Sequence, residues 1–182
     1  QQSFLGIRKN KKILPLLDKN ELYDDFIGIQ PRSREQLYAL NLLHSDDIPL
    51  VSLTGIAGSG KTFITLMTAL AELGRDIGFL PGDMNEKMMP WMSPMLDNFR
   101  SGIKDKDLTY FSALYEKGKI EIAPLSFMRG RTFTDTFLIL DEAQNASIHE
   151  LKTVITRVGE GSKIVLLGDI GQIDTPYIDS LS

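Results

Sequence analysis

The sequence contains no cysteine. This absence excludes a disulfide framework and a thiolate metal site, and nothing points to an oxidising compartment. No stretch approaches the roughly 18 to 20 uncharged apolar residues that a membrane-spanning helix requires. The chain opens with Gln-Gln-Ser, and no basic segment leads into an apolar run, so we see no secretory signal. We therefore expect a cytoplasmic protein with no membrane partner, and a chain that is a fragment of a longer one.

The chain also lacks an excess of positive charge. Lysine and arginine number 20 against 24 acidic residues, which gives a net charge of −4 and a pI near 5.2. This balance argues against broad, non-specific binding of a phosphate backbone, although a local basic groove is compatible with it. Apolar residues make up 42% and charged residues 24% of the chain, an ordinary globular balance. At 182 residues the chain fits one domain with a short extension.

The first 30 residues show weak apolar periodicity. We interpret residues 1–30 as a linker or an arm laid on the main domain, which takes up residues 31–182, and the basic cluster at residues 8–12 as solvated surface. Ser33 is positioned to cap a helix that runs to about His44. Residues 48–54 then form a short apolar run that predicts a buried strand leading into a glycine loop.

The rest of the chain alternates between helix and strand signals. Residues 61–72 are apolar nearly all round, as in a helix packed against a sheet, and residues 75–119 resemble an insertion with an amphipathic stretch around residues 108–115. Short apolar runs at residues 120–123, 137–140 and 163–167 predict strands, and a helix at residues 148–158 separates the last two. This order predicts an α/β fold with a mainly parallel sheet and right-handed crossovers.

Residues 55–62 match the phosphate-loop pattern G-x-x-x-x-G-K-[ST] between a predicted strand and a predicted helix. The glycines let successive N–H groups face one point, and the helix N-terminus adds its positive dipole end. Lys61 would reach the β- and γ-phosphates, and the Thr62 hydroxyl would bind Mg²⁺. A plain glycine turn is the disfavoured alternative. The pattern predicts a P-loop NTPase fold that contacts ATP through Gly55, Ala57, Gly58, Ser59, Gly60, Lys61, Thr62 and Phe63.

The predicted strand at residues 137–140 ends in Asp141 and Glu142. In a catalytic reading, Asp141 binds the metal through its water shell and Glu142 polarises the attacking water. Such a pair is commonly a solvated loop, but beside a phosphate loop in one parallel sheet the catalytic reading is favoured. We expect the two motifs to face each other across adjacent parallel strands.

Two glutamines are further candidates. Gln172 follows the strand at residues 163–167 and would bond the γ-phosphate or the water, with Asp169 fixing the loop; a plain polar turn is an equal alternative. Gln36, on the helix before the first strand, is either an ordinary exposed glutamine or a contact to the adenine edge.

With these residues in view, the chain resembles the PhoH family of P-loop ATPases, which are related to superfamily 1 helicases. The resemblance runs from about Gln30 to the end of the chain. It rests on the phosphate loop, G-F-L-P-G-D at residues 78–83, F-M-R-G-R-T at 127–132, D-E-A-Q-N at 141–145 and G-D-I-G-Q at 168–172. It implies a RecA-like three-layer sandwich with helices on both faces of the sheet. It also implies hydrolysis at residues 141–144, a γ-phosphate sensor at 168–172, and Gln30 and Gln36 near adenine.

Two departures from the family pattern concern missing segments. Relative to the family pattern, about a dozen residues are absent after Glu72, and we attribute this to an omitted segment rather than to a deletion. The chain also stops before the family's last strand. Some family members carry an N-terminal PIN nuclease domain, for which residues 1–30 would be the linker.

The helicase kinship implies RNA as a partner. A single RecA-like core lacks the second core that closes over ATP, so a homo-oligomer such as a ring would complete the site. Arg129 and Arg131 are candidates for that contact between subunits or for RNA phosphate, and structural salt bridges explain them equally well.

The predicted function is therefore Mg²⁺-dependent ATP hydrolysis coupled to RNA remodelling. Two alternatives stay open. A small-molecule or protein kinase would use the same loop but should show an acceptor pocket and a cluster of lid arginines, and the water-polarising Glu142 disfavours it. A nucleotide-dependent switch would bind ATP with little turnover.

Overall fold

The computed structural model describes residues 6–9, 11–17, 29–73, 96–97, 100, 109–122 and 125–172. The string at residues 78–83, most of the predicted insertion and residues 173–182 lie outside this part of the chain. No helix within it is long and apolar enough to cross a membrane. The elements are β1 (Gly6–Lys9), β2 (Lys12–Pro15), α1 (Arg34–His44), β3 (Leu50–Thr54), α2 (Lys61–Leu73), α3 (Thr109–Glu116), β4 (Phe137–Leu140), α4 (Ile148–Ile155) and β5 (Lys163–Gly168), with short 3-10 turns at Leu125–Met128 and Ala143–Asn145.

Strands β3, β5 and β4 form a parallel sheet in that order. Thr54 pairs with Gly168, and Leu140 with Leu166, so the three strands end at the same edge. This confirms the predicted α/β fold with a parallel sheet. The expectation of adjacent strands was wrong, because β5 lies between the strand that enters the phosphate loop and the strand that ends at Asp141. The central place suits β5, which is buried along nearly its whole length, whereas β3 and β4 keep exposed or half-buried positions.

Alternate side chains of β5 point to opposite faces of the sheet. Val165 and Leu167 belong to the main apolar core, which contains buried residues of α1, α2 and α3. Ile164 belongs to a second cluster with Leu138 and with Val154 of α4. Helices therefore cover both faces of the sheet, as a three-layer sandwich requires.

The helices around the main core follow their sequence signals. Ser33 caps α1, because its hydroxyl oxygen accepts a hydrogen bond from the Gln36 N–H at 3.2 Å. Residues 64–70 of α2 are all buried, which explains why this helix is apolar nearly all round. The amphipathic signal around residues 108–115 corresponds to α3, which buries Phe111 and Leu114.

Two boundaries differ from the prediction. Helix α4 ends at Ile155 instead of residue 158, because the Arg157 and Val158 N–H groups bond only three residues back and the chain then pairs with Phe133. The Phe133 N–H donates to the Arg157 carbonyl at 2.9 Å, and the Gly159 N–H donates to the Phe133 carbonyl at 2.7 Å. Residues 120–122 have irregular backbone rather than strand geometry, and the side chains of Ile120 and Ile122 pack against the main core.

The N-terminal segment contains an antiparallel pair, β1 with β2, that the sequence did not predict. Every residue of β2 is exposed, so no alternation of apolar and polar residues marks it. Beyond the pair, the Leu17 N–H donates to Oδ1 of Asn41 at 2.9 Å, and Nδ2 of Asn41 donates to the Leu17 carbonyl at 3.4 Å. Asn41 thus binds this segment to α1 in the way that a neighbouring strand would.

A buried lysine joins the sheet to the end of α1. The Nζ atom of Lys163, the first residue of β5, donates to the Ser45 carbonyl at 2.6 Å and to the Leu42 carbonyl at 3.3 Å. The last carbonyls of a helix lack intrahelical partners and carry its negative dipole end, so a cation there is stabilising. This contact fixes α1, and with it Gln36, relative to the sheet.

Candidate active site

The phosphate loop runs from the end of β3 to the start of α2. Gly58 and Gly60 have φ angles of +76° and +85°, a left-handed conformation that side chains other than glycine rarely adopt. At Gly60 the absent side chain also makes space, since a Cβ atom there would lie 3.2 Å from Nε2 of Gln36. The two glycines therefore produce the tight curl that the sequence predicted.

The side chain of Lys61 lies across its own loop. Its Nζ atom donates to the Gly55 carbonyl at 2.8 Å and to the Ile56 carbonyl at 3.4 Å. These contacts hold the ammonium group within the curl of the loop, beside the N-terminus of α2. The charge of Lys61 and the positive end of the helix dipole therefore add at this point.

The loop is fixed from two sides. The Gly55 N–H donates to the Gly168 carbonyl at 3.1 Å, which joins the loop to the end of β5. From α1, Nε2 of Gln36 donates to the Ser59 carbonyl at 3.0 Å, while Oε1 accepts from the Arg32 N–H at 2.8 Å. Gln36 thus holds the loop against the segment before α1, where Gln30 lies exposed.

The two halves of the expected site meet at the carboxyl edge of the sheet. The Thr62 hydroxyl donates to Oδ2 of Asp141 at 3.3 Å, across the end of β5. A hydroxyl and a carboxylate are oxygen ligands of the kind that Mg²⁺ prefers. In the part of the chain that the structure describes, no group of three or more His, Cys, Asp or Glu residues is arranged to hold a metal.

The electrostatic surroundings of Asp141 favour a cation. Partial burial of the Asp141 carboxyl raises its pKa above the ordinary value, and the negative charge of Glu142 raises that pKa further. Hydrogen bonds from the Glu142 N–H and the Thr62 hydroxyl, together with the charge of Lys61, act in the opposite direction without reversing the shift. A carboxylate that its protein surroundings destabilise gains more from a bound cation than a fully solvated one would.

Glu142 has an unusual backbone. Its φ and ψ angles of 53° and 38° lie in the left-handed region, and its N–H donates to Oδ1 of Asp141 at 3.0 Å. This conformation is uncommon for residues other than glycine and costs on the order of 1 kcal/mol or more, so the surrounding contacts must hold it. One such contact is from Gln144, whose Nε2 atom lies 2.5 Å from Oε2 of Glu142.

Gln144 is buried, with 8% of its surface exposed, and it reaches a second loop of the site. Its Nε2 atom also donates to the Gln172 carbonyl at 3.0 Å, and its Oε1 atom accepts from the Asp169 N–H at 3.0 Å. We call residues 169–172, which follow β5, the 169–172 loop. Oδ1 of Asp169 accepts from the Gly171 N–H at 2.9 Å, so Asp169 fixes this loop as expected. Gln172 itself is exposed at the end of the loop.

Arg131 is engaged in a salt bridge. Its guanidinium donates to Oε1 and Oε2 of Glu121 at 2.5 and 2.7 Å and lies 4.7 Å from the centre of the Phe133 ring. The hydrogen bond from Arg131 lowers the pKa of Glu121. Arg129 is exposed, and its charge adds to the contacts with Ser147 that lower the pKa of Glu150.

The other residues expected to contact ATP lie on the phosphate loop or at the start of α2. Ala57 and Ser59 are exposed on the phosphate loop, and the side chain of Phe63 packs against the main core. The individual role of Gln144 was missed, because its partners in the 169–172 loop lie 25 and 28 residues away in sequence. The available signal was a polar residue two positions after Glu142, in a motif at the end of a buried strand.

A parallel sheet covered on both faces, with a glycine-rich loop between β3 and α2, defines the P-loop NTPase fold. The family described as PhoH-like protein matches residues 69–181, more than half of the chain. The chain belongs to the PhoH family, whose members are in general ATP-binding P-loop proteins.

Curated relatives agree with this family. Protein PhoH2 of Bacillus subtilis (strain 168) is 44% identical over 185 residues, covering 90% of this chain and 42% of the relative. A PhoH-like protein of Synechocystis sp. is 42% identical over 139 residues, covering 67% of this chain and 42% of the relative. Protein PhoH2 of Mycolicibacterium smegmatis is 34% identical over 169 residues, covering 82% of this chain and 38% of the relative. The chain thus spans less than half the length of these relatives.

Proposed function

We propose that this chain binds ATP together with Mg²⁺ at the phosphate loop and hydrolyses it. The observation that carries the proposal is the contact between the Thr62 hydroxyl and Oδ2 of Asp141. It brings the loop and the acidic strand end to one point, where the γ-phosphate, the metal and the attacking water would all have to lie.

Binding would use the N–H groups of the loop, the N-terminus of α2 and the Lys61 ammonium. In the structure Lys61 donates to the neutral carbonyls of Gly55 and Ile56. To bind phosphate oxygens, its ammonium group would give up these two hydrogen bonds. A hydrogen bond between a cation and phosphate is stronger than one to a neutral carbonyl, so this exchange favours the nucleotide. Gln30 and Gln36 would lie on the adenine side, where Gln36 already holds the Ser59 carbonyl.

Magnesium would be held by Thr62 directly and by Asp141 through water. When bound, it would neutralise charge on the β- and γ-phosphates. The Thr62 hydroxyl can keep its hydrogen bond to Oδ2 of Asp141 while a lone pair of its oxygen binds the metal, because a hydroxyl has one donor hydrogen and two lone pairs.

Hydrolysis requires a group that orients the water. We assign this to Glu142, whose carboxylate would accept a hydrogen bond from the water while the water oxygen attacks the γ-phosphorus and the bond to the bridging oxygen breaks. Gln172, at the end of the 169–172 loop, would contact the γ-phosphate. The hydrogen bond from Gln144 to Glu142 supports this assignment, because it restricts the carboxylate next to Asp141.

Coupling of hydrolysis to RNA binding or remodelling is the second part of the proposal. It is supported by the helicase-like motifs at residues 141–144 and 168–172 and by the exposed Arg129. A homo-oligomer, a ring for instance, would supply the neighbouring surface that completes the site. The exposed Arg129 is better placed to contact that surface or RNA than Arg131, whose guanidinium bonds to Glu121. An N-terminal PIN nuclease domain would fit the greater length of the relatives.

The test is phosphate release from ATP by the full chain, with and without single-stranded RNA and with and without Mg²⁺. We expect Mg²⁺-dependent release that RNA stimulates. Lys61→Ala should abolish release and weaken ATP binding, whereas Lys152→Ala, an exposed lysine on α4, should change neither. Release that needs another phosphate acceptor would identify a kinase, and tight ATP binding without release would identify a switch.

A further inference from the structure

We propose that Gln144 is a positioning residue that couples the side chain of Glu142 to the 169–172 loop. This inference rests on the proposed role of Glu142 in ATP hydrolysis. Gln144 itself would touch neither nucleotide nor water. Its effect would be to make the orientation of the Glu142 carboxylate depend on the position of the loop that carries Gln172.

The side-chain amide of Gln144 uses its whole hydrogen-bonding capacity. A carboxamide has two N–H donors and one carbonyl acceptor. In Gln144 both donors have partners, the Glu142 carboxylate at 2.5 Å and the Gln172 carbonyl at 3.0 Å. The acceptor is also used, by the Asp169 N–H at 3.0 Å. One rigid amide group therefore holds Glu142 and the loop at the same time, and it has no further donor in reserve.

Burial makes these three bonds mutually dependent. Gln144 and Asp169 are both buried, with 8% and 7% of their surfaces exposed, so water cannot readily replace a lost partner. A movement of the loop would leave a buried donor or acceptor unsatisfied, unless the amide moved with it. Movement of the amide would in turn withdraw the charge-assisted bond from Glu142, which is the strongest type among the three.

The packing around the amide is tight enough to transmit such a movement. A Cβ atom at Gly168 would lie only 3.2 Å from Oε1 of Gln144. The Gly168 carbonyl also accepts from the Gly55 N–H, so the phosphate loop and the 169–172 loop share this anchor at the end of β5. The left-handed backbone of Glu142 must be held by surrounding contacts, and the hydrogen bond from Gln144 is one of them.

Two substitutions separate the functions of the amide. Gln144→Met keeps the length of the side chain and removes all three hydrogen bonds. Gln144→Glu keeps an acceptor for the Asp169 N–H but loses both donations, including the one to Glu142. We expect each to lower kcat for phosphate release by about tenfold or more, as lost supporting contacts in active sites do, with KM for ATP changed less than about twofold. A rise in KM at unchanged kcat would overturn the proposal.

A double-mutant cycle with Glu142→Gln tests whether Gln144 acts through Glu142. If it does, adding Gln144→Met to Glu142→Gln should reduce the residual rate by less than about twofold, because the coupled group is already lost. A further loss equal to that of Gln144→Met alone would mean that the two residues act independently and would overturn the proposal.

Amide hydrogen exchange at Asp169 measures the contact between Gln144 and the 169–172 loop, and it does not depend on ATP hydrolysis. We expect exchange of the Asp169 N–H to be faster in Gln144→Met than in wild type, and to remain slow in Gln144→Glu, which keeps the acceptor. Unchanged exchange in Gln144→Met would show that the amide does not hold the loop. If wild type binds ATP but releases no phosphate, the proposed function fails, and the exchange result still decides whether Gln144 holds the loop.

Discussion

The Thr62 hydroxyl donates a hydrogen bond to Oδ2 of Asp141, although 79 residues separate them in sequence and β5 lies between β3 and β4, the strands that precede them. The contact forms because parallel strands end at one edge of the sheet and α2 begins at that edge. It provides two oxygen atoms where a P-loop protein needs a metal.

The first prediction concerns metal dependence. Thr62→Val keeps the shape of the side chain but removes the hydroxyl, so the Mg²⁺ concentration for half-maximal ATP turnover should rise by about tenfold or more. Thr68→Val is a matched control on the same helix, because the Thr68 hydroxyl donates within that helix, to the Ile64 carbonyl at 2.8 Å. Titration of phosphate release with Mg²⁺ checks both. An equal shift in the two variants would contradict a role for Thr62 in metal binding.

The second prediction uses the raised pKa of Asp141. The folded protein binds this proton more tightly than the unfolded chain does, so the contribution of Asp141 to stability falls as pH rises from its ordinary pKa through the raised one. Without ligand, Asp141→Asn should therefore be more stable than wild type near neutral pH, and this advantage should disappear in acid. Thermal unfolding at several pH values measures it.

With ATP and Mg²⁺ present the order should reverse, because the ligand stabilises the wild-type site more strongly than the Asp141→Asn site. An Asp141→Asn protein that is less stable than wild type in the absence of ligand at neutral pH would show that the carboxylate is not destabilised by its surroundings.

The third prediction concerns the contact between the N-terminal segment and α1. Asn41→Leu removes both hydrogen bonds to Leu17, so trypsin should cut the basic cluster at residues 8–12 faster, and stability should fall by about 1 kcal/mol. Asn41→Asp keeps the acceptor for the Leu17 N–H and should show an intermediate cleavage rate. Identical cleavage of wild type and Asn41→Leu would mean that Asn41 does not hold the segment.

The fourth prediction separates the two readings of Arg131. Because both guanidinium ends bond to Glu121, we expect Arg131→Ala and Glu121→Ala to cause similar small losses of stability and to leave turnover per subunit unchanged. Thermal unfolding and phosphate release decide this together. A loss of turnover in Arg131→Ala alone would assign the arginine to a neighbouring active site or to RNA.

Much of the fold could be predicted from local signals. Short stretches of sequence are enough to predict the glycine curl of the phosphate loop, the Ser33 cap and the apolar runs of β3, β4 and β5. The structure confirms these elements. The order of the strands could not be predicted in this way. It depends on which run is buried on both faces, and the burial of β5 is settled by packing from α2 and α4 together.

In the candidate site, too, local features could be predicted from the sequence and long-range contacts could not. Neighbouring residues reveal the glycine curl and the strand-end carboxylates, but the hydrogen bonds of Gln144 join a turn after β4 to a loop after β5, and no periodicity reports such a contact. The bond between Asn41 and Leu17 was missed for the same reason, since 24 residues separate the two. The β1–β2 pair was missed because its second strand is exposed at every position.

The most direct test of the account is ATP turnover by Glu142→Gln, measured beside its ATP affinity. The substitution removes the carboxylate but keeps the shape, so ATP and Mg²⁺ should bind about as tightly as to wild type while phosphate release falls by about 10² to 10⁴-fold. The variant should therefore retain ATP unhydrolysed. Release at the wild-type rate by Glu142→Gln would contradict the assignment of this site as the centre of hydrolysis.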